Sequence, residues 1–273
     1  MELHLDGKRA LVLAASKGLG RASATELVRE GAQTVLTSSS EENLREAKAA
    51  ILAETGASDD LVETRVIDLS SEAGIASGVE DAIETLGGLD ILVTNKGGPP
   101  EQNFEESTIE DFDDVYTSVL KSQIIAIKAA MPALTDGGGA ITNIIATSVK
   151  EPQKNHVLAN TIRPGIYGLS KSLSVEYGDE DVRVNCVTPR GIMTDRVRNR
   201  RDRFGTLGED LTREEAREQG ILRLITGEED HALGRYTEPE SFGKVVAFVS
   251  SDAAEYVTGS VIDVDGGWTR HLF

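Results

Sequence analysis

Arg9-Ala10-Leu11-Val12-Leu13-Ala14-Ala15-Ser16-Lys17-Gly18-Leu19-Gly20 is a short apolar run that ends in a turn with two glycines and then opens an amphipathic helix. Such a strand-to-helix turn lets the backbone approach a pyrophosphate at the positive end of the helix. Outward from it, apolar runs rich in Val, Ile and Leu alternate with amphipathic helical segments, the signature of βαβ units and a parallel sheet covered on both faces. The pattern predicts strands near 8–14, 33–38, 61–68, 89–94, 139–146, 181–188 and 259–265. Helices are expected near 17–30, 41–55, 71–86, 108–134, 155–177 and 239–251. No Pro/Gly/Ser-rich linker divides them, so residues 1–273 read as a single α/β domain of the doubly wound Rossmann type with a seven-stranded parallel sheet. The charged, weakly periodic stretch 190–237 is long for a connection and reads as a substrate loop or lid.

Composition narrows the function classes. The 273 residues carry 46 acidic and 28 basic side chains, a formal charge of −18, which repels a phosphate backbone and argues against nucleic acid as a partner. The basic set is 18 Arg and 10 Lys, and such an acidic, Lys-poor surface suits a salty cytoplasm, which makes a halophilic protein the expectation. No stretch reaches membrane-span length and the N-terminus lacks signal-peptide regions, so no membrane association and a cytoplasmic location are expected. Cys186 has no second cysteine, and His4, His156, His231 and His271 make no metal spacing with it. A metal site is not expected, and Cys186, inside an apolar strand, reads as a buried small residue.

Five separated motifs resemble, in order, those of the short-chain dehydrogenase/reductase family, in particular a divergent branch similar to 3-oxoacyl-carrier-protein reductases. The turn from Ala14 through Ser16, Lys17, Gly18, Leu19 and Gly20 resembles that family's Thr-Gly-x-x-x-Gly-x-Gly. Asp68-Leu69 resembles the pair that holds the adenine, and Thr94-Asn95-Lys96-Gly97 resembles Asn-Asn-Ala-Gly. The segment from Asn185 through Pro189 and Ile192 to Thr194 is similar to the one that meets the nicotinamide side. The ending from Gly234 to Gly267 is similar almost residue for residue. The resemblance implies reversible hydride transfer between a nicotinamide cofactor and a carbonyl or hydroxyl group on a small-molecule substrate. It also implies a homo-oligomer, a tetramer, paired through the helices near 108–134 and 155–177 and through the last strand. On those helices Ile124, Ile125, Ile127, Met131, Leu169, Leu173 and Tyr177 offer apolar material beyond one core face.

Departures from the family pattern fall on its chemistry. Ala14 stands at the first glycine, where a Cβ crowds the turn. Counting without gaps from Gly139 to Pro189 places Ala146 at the family's Ser, Ala159 at its Tyr and Arg163 at its Lys, while Val119 stands at its Asn. Tyr167-Gly168-Leu169-Ser170-Lys171 fits Tyr-x-x-x-Lys literally, yet it lies eight residues downstream, roughly 12 Å along the helix, and reads as helix packing. Ser148, two residues beyond Ala146, points to the same side if the chain stays extended. Ser148 and Lys150 are therefore the residues expected to polarise a carbonyl, with His156 in the same loop as another possible proton donor. Arg163 keeps a cation where the family's Lys meets the nicotinamide ribose, and it is expected to bind rather than shuttle protons.

Near the adenine ribose, Ser38 and Ser39 offer hydroxyls and no Asp stands to receive a 2′-hydroxyl. In this family a basic residue just before the glycine faces a 2′-phosphate, so Lys17 favours NADP, with NAD possible. The cluster Arg196, Arg198, Arg200, Arg201 and Arg203 either forms a solvated face or draws an anionic substrate. Two further readings stay open: a protein that binds the dinucleotide as a sensor or assembly subunit without turning it over, and a reductase of activated C=C bonds.

Overall fold

The computed structural model describes residues 2–199 and 231–272. All seven expected strands form: β1 (Arg9–Val12), β2 (Gln33–Ser38), β3 (Val62–Val66), β4 (Ile91–Thr94), β5 (Gly139–Ile144), β6 (Val182–Pro189) and β7 (Val261–Val264). They pair in parallel in the order β3-β2-β1-β4-β5-β6-β7. The order reverses between β1 and β4, where Ala10 faces Ile91 and Val12 faces Val93. In open α/β sheets that switch point opens a crevice beyond the carboxyl ends of the strands.

The helices are α1 (Gly18–Arg29), α2 (Glu41–Thr55), α3 (Glu72–Leu86), α4 (Ile109–Val115), α5 (Ser122–Leu134), α6 (Val157–Glu176) and α7 (Pro239–Ser250). One face of the sheet is covered by α1, α2 and α7, which bury Leu27, Leu44, Ile51, Phe242 and Val246 with Val12 and Leu36. Gly243 sets how closely α7 meets α1, since a Cβ there would lie 2.4 Å from the Ala22 carbonyl oxygen. On the other face α3 and α5 bury Ile75, Val79, Ile127, Ala130 and Leu134 against Leu11, Leu92 and Ile141. A third cluster, with Val115, Val119, Leu158 and Ile166, lies between α4, α6 and the end of β5. No described helix is long and apolar enough to cross a membrane.

Two sequence expectations change. The stretch 108–134 is interrupted: a capping box of Thr108 and Asp111 starts α4, and Tyr116–Lys121 winds as a π-helix before α5. The wide turn re-phases the apolar stripe, so that Val115 and Val119 face the cluster under α6 while Ala126, Ile127 and Ala130 face the sheet. Ile127, Met131 and Leu173 are also core residues within this one chain, so they are not spare apolar surface. Of the expected loop 190–237, residues 200–230, with Arg200, Arg201 and Arg203, lie outside the described residues.

Candidate active site

The carboxyl ends of the strands open on a cleft of about 1460 Å³. At its floor the turn after β1 brings Ala14 into the left-handed region at φ +48, followed by Gly18 at φ +58. A Cβ on Gly20 would sit 2.4 Å from the Ala14 carbonyl oxygen, so this turn accepts no side chain there. Asn95, just past β4, donates from Nδ2 to the same carbonyl at 3.3 Å and ties the two halves of the switch point together. Lys17 is the N-cap of α1, but no side chain caps the helix and no acidic residue stands in its first turn. The first amides of α1 therefore have no protein side chain to satisfy them, and they face an anion-binding position. Thr194 closes over the turn, its Cγ2 at 3.7 Å from where a Gly18 Cβ would be.

Most of the expected cofactor contacts meet here: Ala14, Ser16, Lys17, Gly18, Leu19, Asn95, Gly97, Arg163, Pro189 and Thr194 all line the cleft. Gly20 is buried beneath its floor. The adenine end is looser. Ser16 Oγ donates to Ser38 Oγ at 3.1 Å, and Ser40 caps α2 through the Asn43 amide. Of Ser38, Ser39 and Ser40 at the end of β2 and just past it, only Ser39 keeps an uncommitted exposed hydroxyl among the described residues. Asp68 lies exposed at the end of β3, where the backbone amide and hydroxyl of Ser70 hold its carboxyl below the usual range and Lys96 adds a smaller effect. Leu69 and Ile192 point into the core instead of the cleft.

Ala146, Ala159 and Arg163 also line the cleft, whereas Tyr167 and Lys171 do not. Tyr167 packs on the cluster beneath α6, and Lys171 donates to the Gly259 carbonyl at 3.0 Å. The gapless register thus puts the three substituted positions at the site and the literal Tyr-x-x-x-Lys outside it. Val119 is buried in the core.

Beyond Ala146 the chain does not stay extended. Thr147–Val149 forms a 3₁₀ turn, closed by the Val149 amide on the Ala146 carbonyl at 3.2 Å. Ser148 reaches the cleft lining by this turn, and its Oγ is buried with no hydrogen-bond partner among the described residues. Lys150 is not brought to the cleft: its ammonium pairs with Asp263 at 2.7 Å, on β7. The expectation that it polarises a carbonyl is not met, because the ammonium is held by a carboxylate two strands away and Lys150 is not among the described residues of the cleft lining. His156 does reach the wall, with Nδ1 2.9 Å from the Lys154 carbonyl and Nε2 3.7 Å from Glu101.

The sequence singled out Arg196 only as part of a cluster, and it missed the part played by Arg190. Arg196 enters the cleft, donating to the Gly98 carbonyl at 3.4 Å. Arg190, also in the lining, stacks on Trp268 with its guanidinium 4.2 Å from the ring centre and donates to Gln153. Arg163 itself is 8% exposed; its Nη1 donates to the Ile145 carbonyl at 2.6 Å while Nε is buried without a partner. Burial, and then the like charge of Arg196, push the Arg163 guanidinium down to about 10. Burial likewise pushes the Cys186 thiol up to about 11, which fits its structural role.

A family model described as Enoyl-(Acyl carrier protein) reductase matches residues 13–269. Levodione reductase from Leifsonia aquatica is 32% identical over 259 residues, covering 94% of this chain and 92% of that protein. L-sorbose reductase from Gluconobacter frateurii, solved with NADPH and L-sorbose, superposes with a TM-score of 0.88 at 26% identity and covers 100% of both chains. An NADPH-bound short chain oxidoreductase from Pseudomonas aeruginosa PAO1, described as containing an atypical catalytic centre, superposes with a TM-score of 0.81 at 27% identity over 97% of each chain.

Proposed function

We propose, for a chain that belongs to the short-chain dehydrogenase/reductase family, reversible hydride exchange between NADP(H) and a carbonyl or hydroxyl group, with Ser148 in place of the family's usual proton-handling set. The residues present fit the dinucleotide. A Cβ on Gly20 would strike the Ala14 carbonyl oxygen and push the turn open, so the glycine keeps the turn tight; the first amides of α1 are uncapped beside it, and Asn95 and Thr194 border it. Lys17 stands at the mouth of the turn and no acidic side chain follows β2 in Ser38, Ser39 and Ser40, which favours a 2′-phosphate over a bare 2′-hydroxyl. NADPH-bound relatives of the same fold support this choice.

Bound NADPH supplies the hydride. The chain's own part is to hold the carbonyl oxygen and return a proton to it. Ala146 and Ala159 have no proton to give, and a guanidinium such as Arg163 releases one reluctantly. Ser148 carries the reading: a buried hydroxyl without a partner among the described residues is under-satisfied until a ligand oxygen or water meets it, and the residue lines the cleft. His156, anchored through Nδ1 to the Lys154 carbonyl and with Nε2 toward Glu101, is the imidazole of the cleft wall, and it can pass a proton on only from its doubly protonated form. The fold supports a homo-oligomer as well, with Val175 of α6 and Tyr256 beside β7 among its exposed large side chains.

The test is the rate of NADPH oxidation with ketones, oxo acids and enones, for wild type and for Ser148→Ala. A positioned proton donor is worth about 10²–10⁴ in rate, so Ser148→Ala is expected to lose at least a hundredfold with folding intact. An unchanged rate withdraws Ser148, and reduction of enones alone favours the C=C reading. The rival reading is a dinucleotide-binding sensor. It draws on the alanines at 146 and 159, and it takes over if NADPH binds saturably and none of these substrates is turned over.

A further inference from the structure

The cleft is the reverse of the protein around it. In a chain of net charge −18, six of the described lining residues are cationic, Lys17, Lys96, Arg163, Arg190, Arg196 and Arg198, against two acidic ones, Glu101 and Asp195. Some of these charges are committed: Arg198 pairs with Glu238, Arg190 stacks on Trp268, and Glu101 faces His156. Arg163 and Arg196 are not. Neither has a carboxylate within ion-pair distance among the described residues, and Asp195 makes no such pair either.

The two guanidinium groups converge on one point. A methyl built on Gly98 would lie 2.9 Å from Arg196 Nη1 and 3.6 Å from Arg163 Nη2. Glycine at 98 is what admits both. Arg163 is in addition almost wholly buried, with Nε unsatisfied, a condition proteins avoid unless something else completes the site. Its like-charged neighbour makes the position worse, and burial with that charge already lowers its proton affinity. Two forks meeting without a counter-charge among the described residues fit a planar oxyanion, which accepts from several N–H groups at once. Ala159, one helical turn before Arg163 on the same face of α6, lines the same cleft with only a methyl and leaves room beside the pair.

We infer that Arg163 and Arg196, meeting over Gly98, form a carboxylate-binding subsite, and that the substrate is therefore a carbonyl compound carrying a carboxylate near its reacting carbon. This rests on the function proposed above and moves Arg163 from the cofactor to the substrate. The same oxyanion chemistry has one other source, a phosphate of the cofactor, and the experiment separates the two.

The probe is pyruvate, titrated calorimetrically into the NADP+-saturated protein so that no turnover occurs, with butane-2,3-dione as its uncharged counterpart. Pyruvate is expected to bind saturably and the dione at least tenfold more weakly. Arg163→Gln and Arg196→Gln are each expected to weaken pyruvate about tenfold to a hundredfold, the range of a charge-assisted contact, and Arg163→Lys to fall between. Arg196 is exposed, so its variant reports on binding even if Arg163→Gln folds poorly. Pyruvate affinity unchanged from wild type in both variants, or wild-type affinity for the dione equal to that for pyruvate, overturns the proposal. So does competition between pyruvate and NADP+, which would return the arginines to the cofactor. If NADP+ does not bind at all while pyruvate still binds in an arginine-dependent way, the proposed function falls and this subsite stands. If hydride transfer to ketones is found but pyruvate ignores both arginines, only the subsite falls.

Discussion

Replacing Arg163 by Met is expected to make the cofactor-free protein more stable. Arg163 is 8% exposed and has no carboxylate partner among the described residues, and its guanidinium is pushed down to about 10 by burial and by Arg196. A fall of that size from the ordinary guanidinium value corresponds to about 3 kcal/mol against the charged form. The sign is fixed by linkage. For a cation whose folded value is depressed, the penalty is fully present below the folded value and is relieved only as pH rises through it toward the unfolded one. At pH 7 it is therefore present in full. Met fills a similar length without charge but deprives the Ile145 carbonyl of its 2.6 Å donor, a loss of about 1–2 kcal/mol. The net gain is about 1–2 kcal/mol, or a rise of about 2–6 °C in Tm for a chain of this size. Urea unfolding at pH 7 without cofactor or added acid measures it, and pyruvate should stabilise wild type but not the variant. A variant less stable than wild type by more than about 1 kcal/mol would refute the reasoning, because it would make the guanidinium a satisfied structural group.

Ala14 sits at φ +48, a conformation that costs an L-residue about 1–2 kcal/mol, so Ala14→Gly is expected to be neutral to about 1 kcal/mol stabilising after the added chain entropy; denaturant midpoints check it. Gly20→Ala forces a Cβ to within 2.4 Å of a backbone oxygen and should cost about 1–3 kcal/mol and abolish NADPH binding seen by fluorescence. Tyr167→Phe, in a residue outside the cleft lining, should leave hydride-transfer rates within twofold, and a hundredfold loss would mean that the register is wrong. At Asp90 burial alone would raise the carboxyl, but hydrogen bonds and charge from Arg9 outweigh it and hold it low. That stability is present above the ordinary carboxylate value and lost as pH falls through the lower folded one, so Asp90→Asn should flatten the acid limb of the unfolding profile below about pH 4.

Where punctuation is local, the sequence was legible to the residue. The expected α2 and the observed Glu41–Thr55 coincide because Ser40 caps one end and Gly56, at φ +69, closes the other. The strand β2 likewise ends where Ser38 meets the turn. The single helix expected over 108–134 was not, because its π turn answers to two different neighbours, the sheet and α6, that no local pattern announces. The site divides in the same way. Counting between Gly139 and Pro189 brought Ala146, Ala159 and Arg163 to the cleft, since β5, α6 and β6 permit no slippage, whereas Ser148 arrives there by a 3₁₀ turn and not by the extended chain that was expected. The reading failed for Lys150, whose partner Asp263 is 113 residues away, and it left Arg196 between a solvated face and a substrate-drawing charge, because its approach to Gly98 spans 98 residues. Charges are drawn to partners through space, and spacing along the chain carries little of that.

The most direct test of the account is deuterium transfer from [4-²H]NADPH to carbonyl substrates, read by mass spectrometry of the products. The account predicts label on the former carbonyl carbon of at least one oxo acid or ketone with wild type, and at least a hundredfold less with Ser148→Ala. Saturable NADPH binding with no label in any ketone, oxo acid or enone would contradict it and leave a protein that binds the dinucleotide without using it.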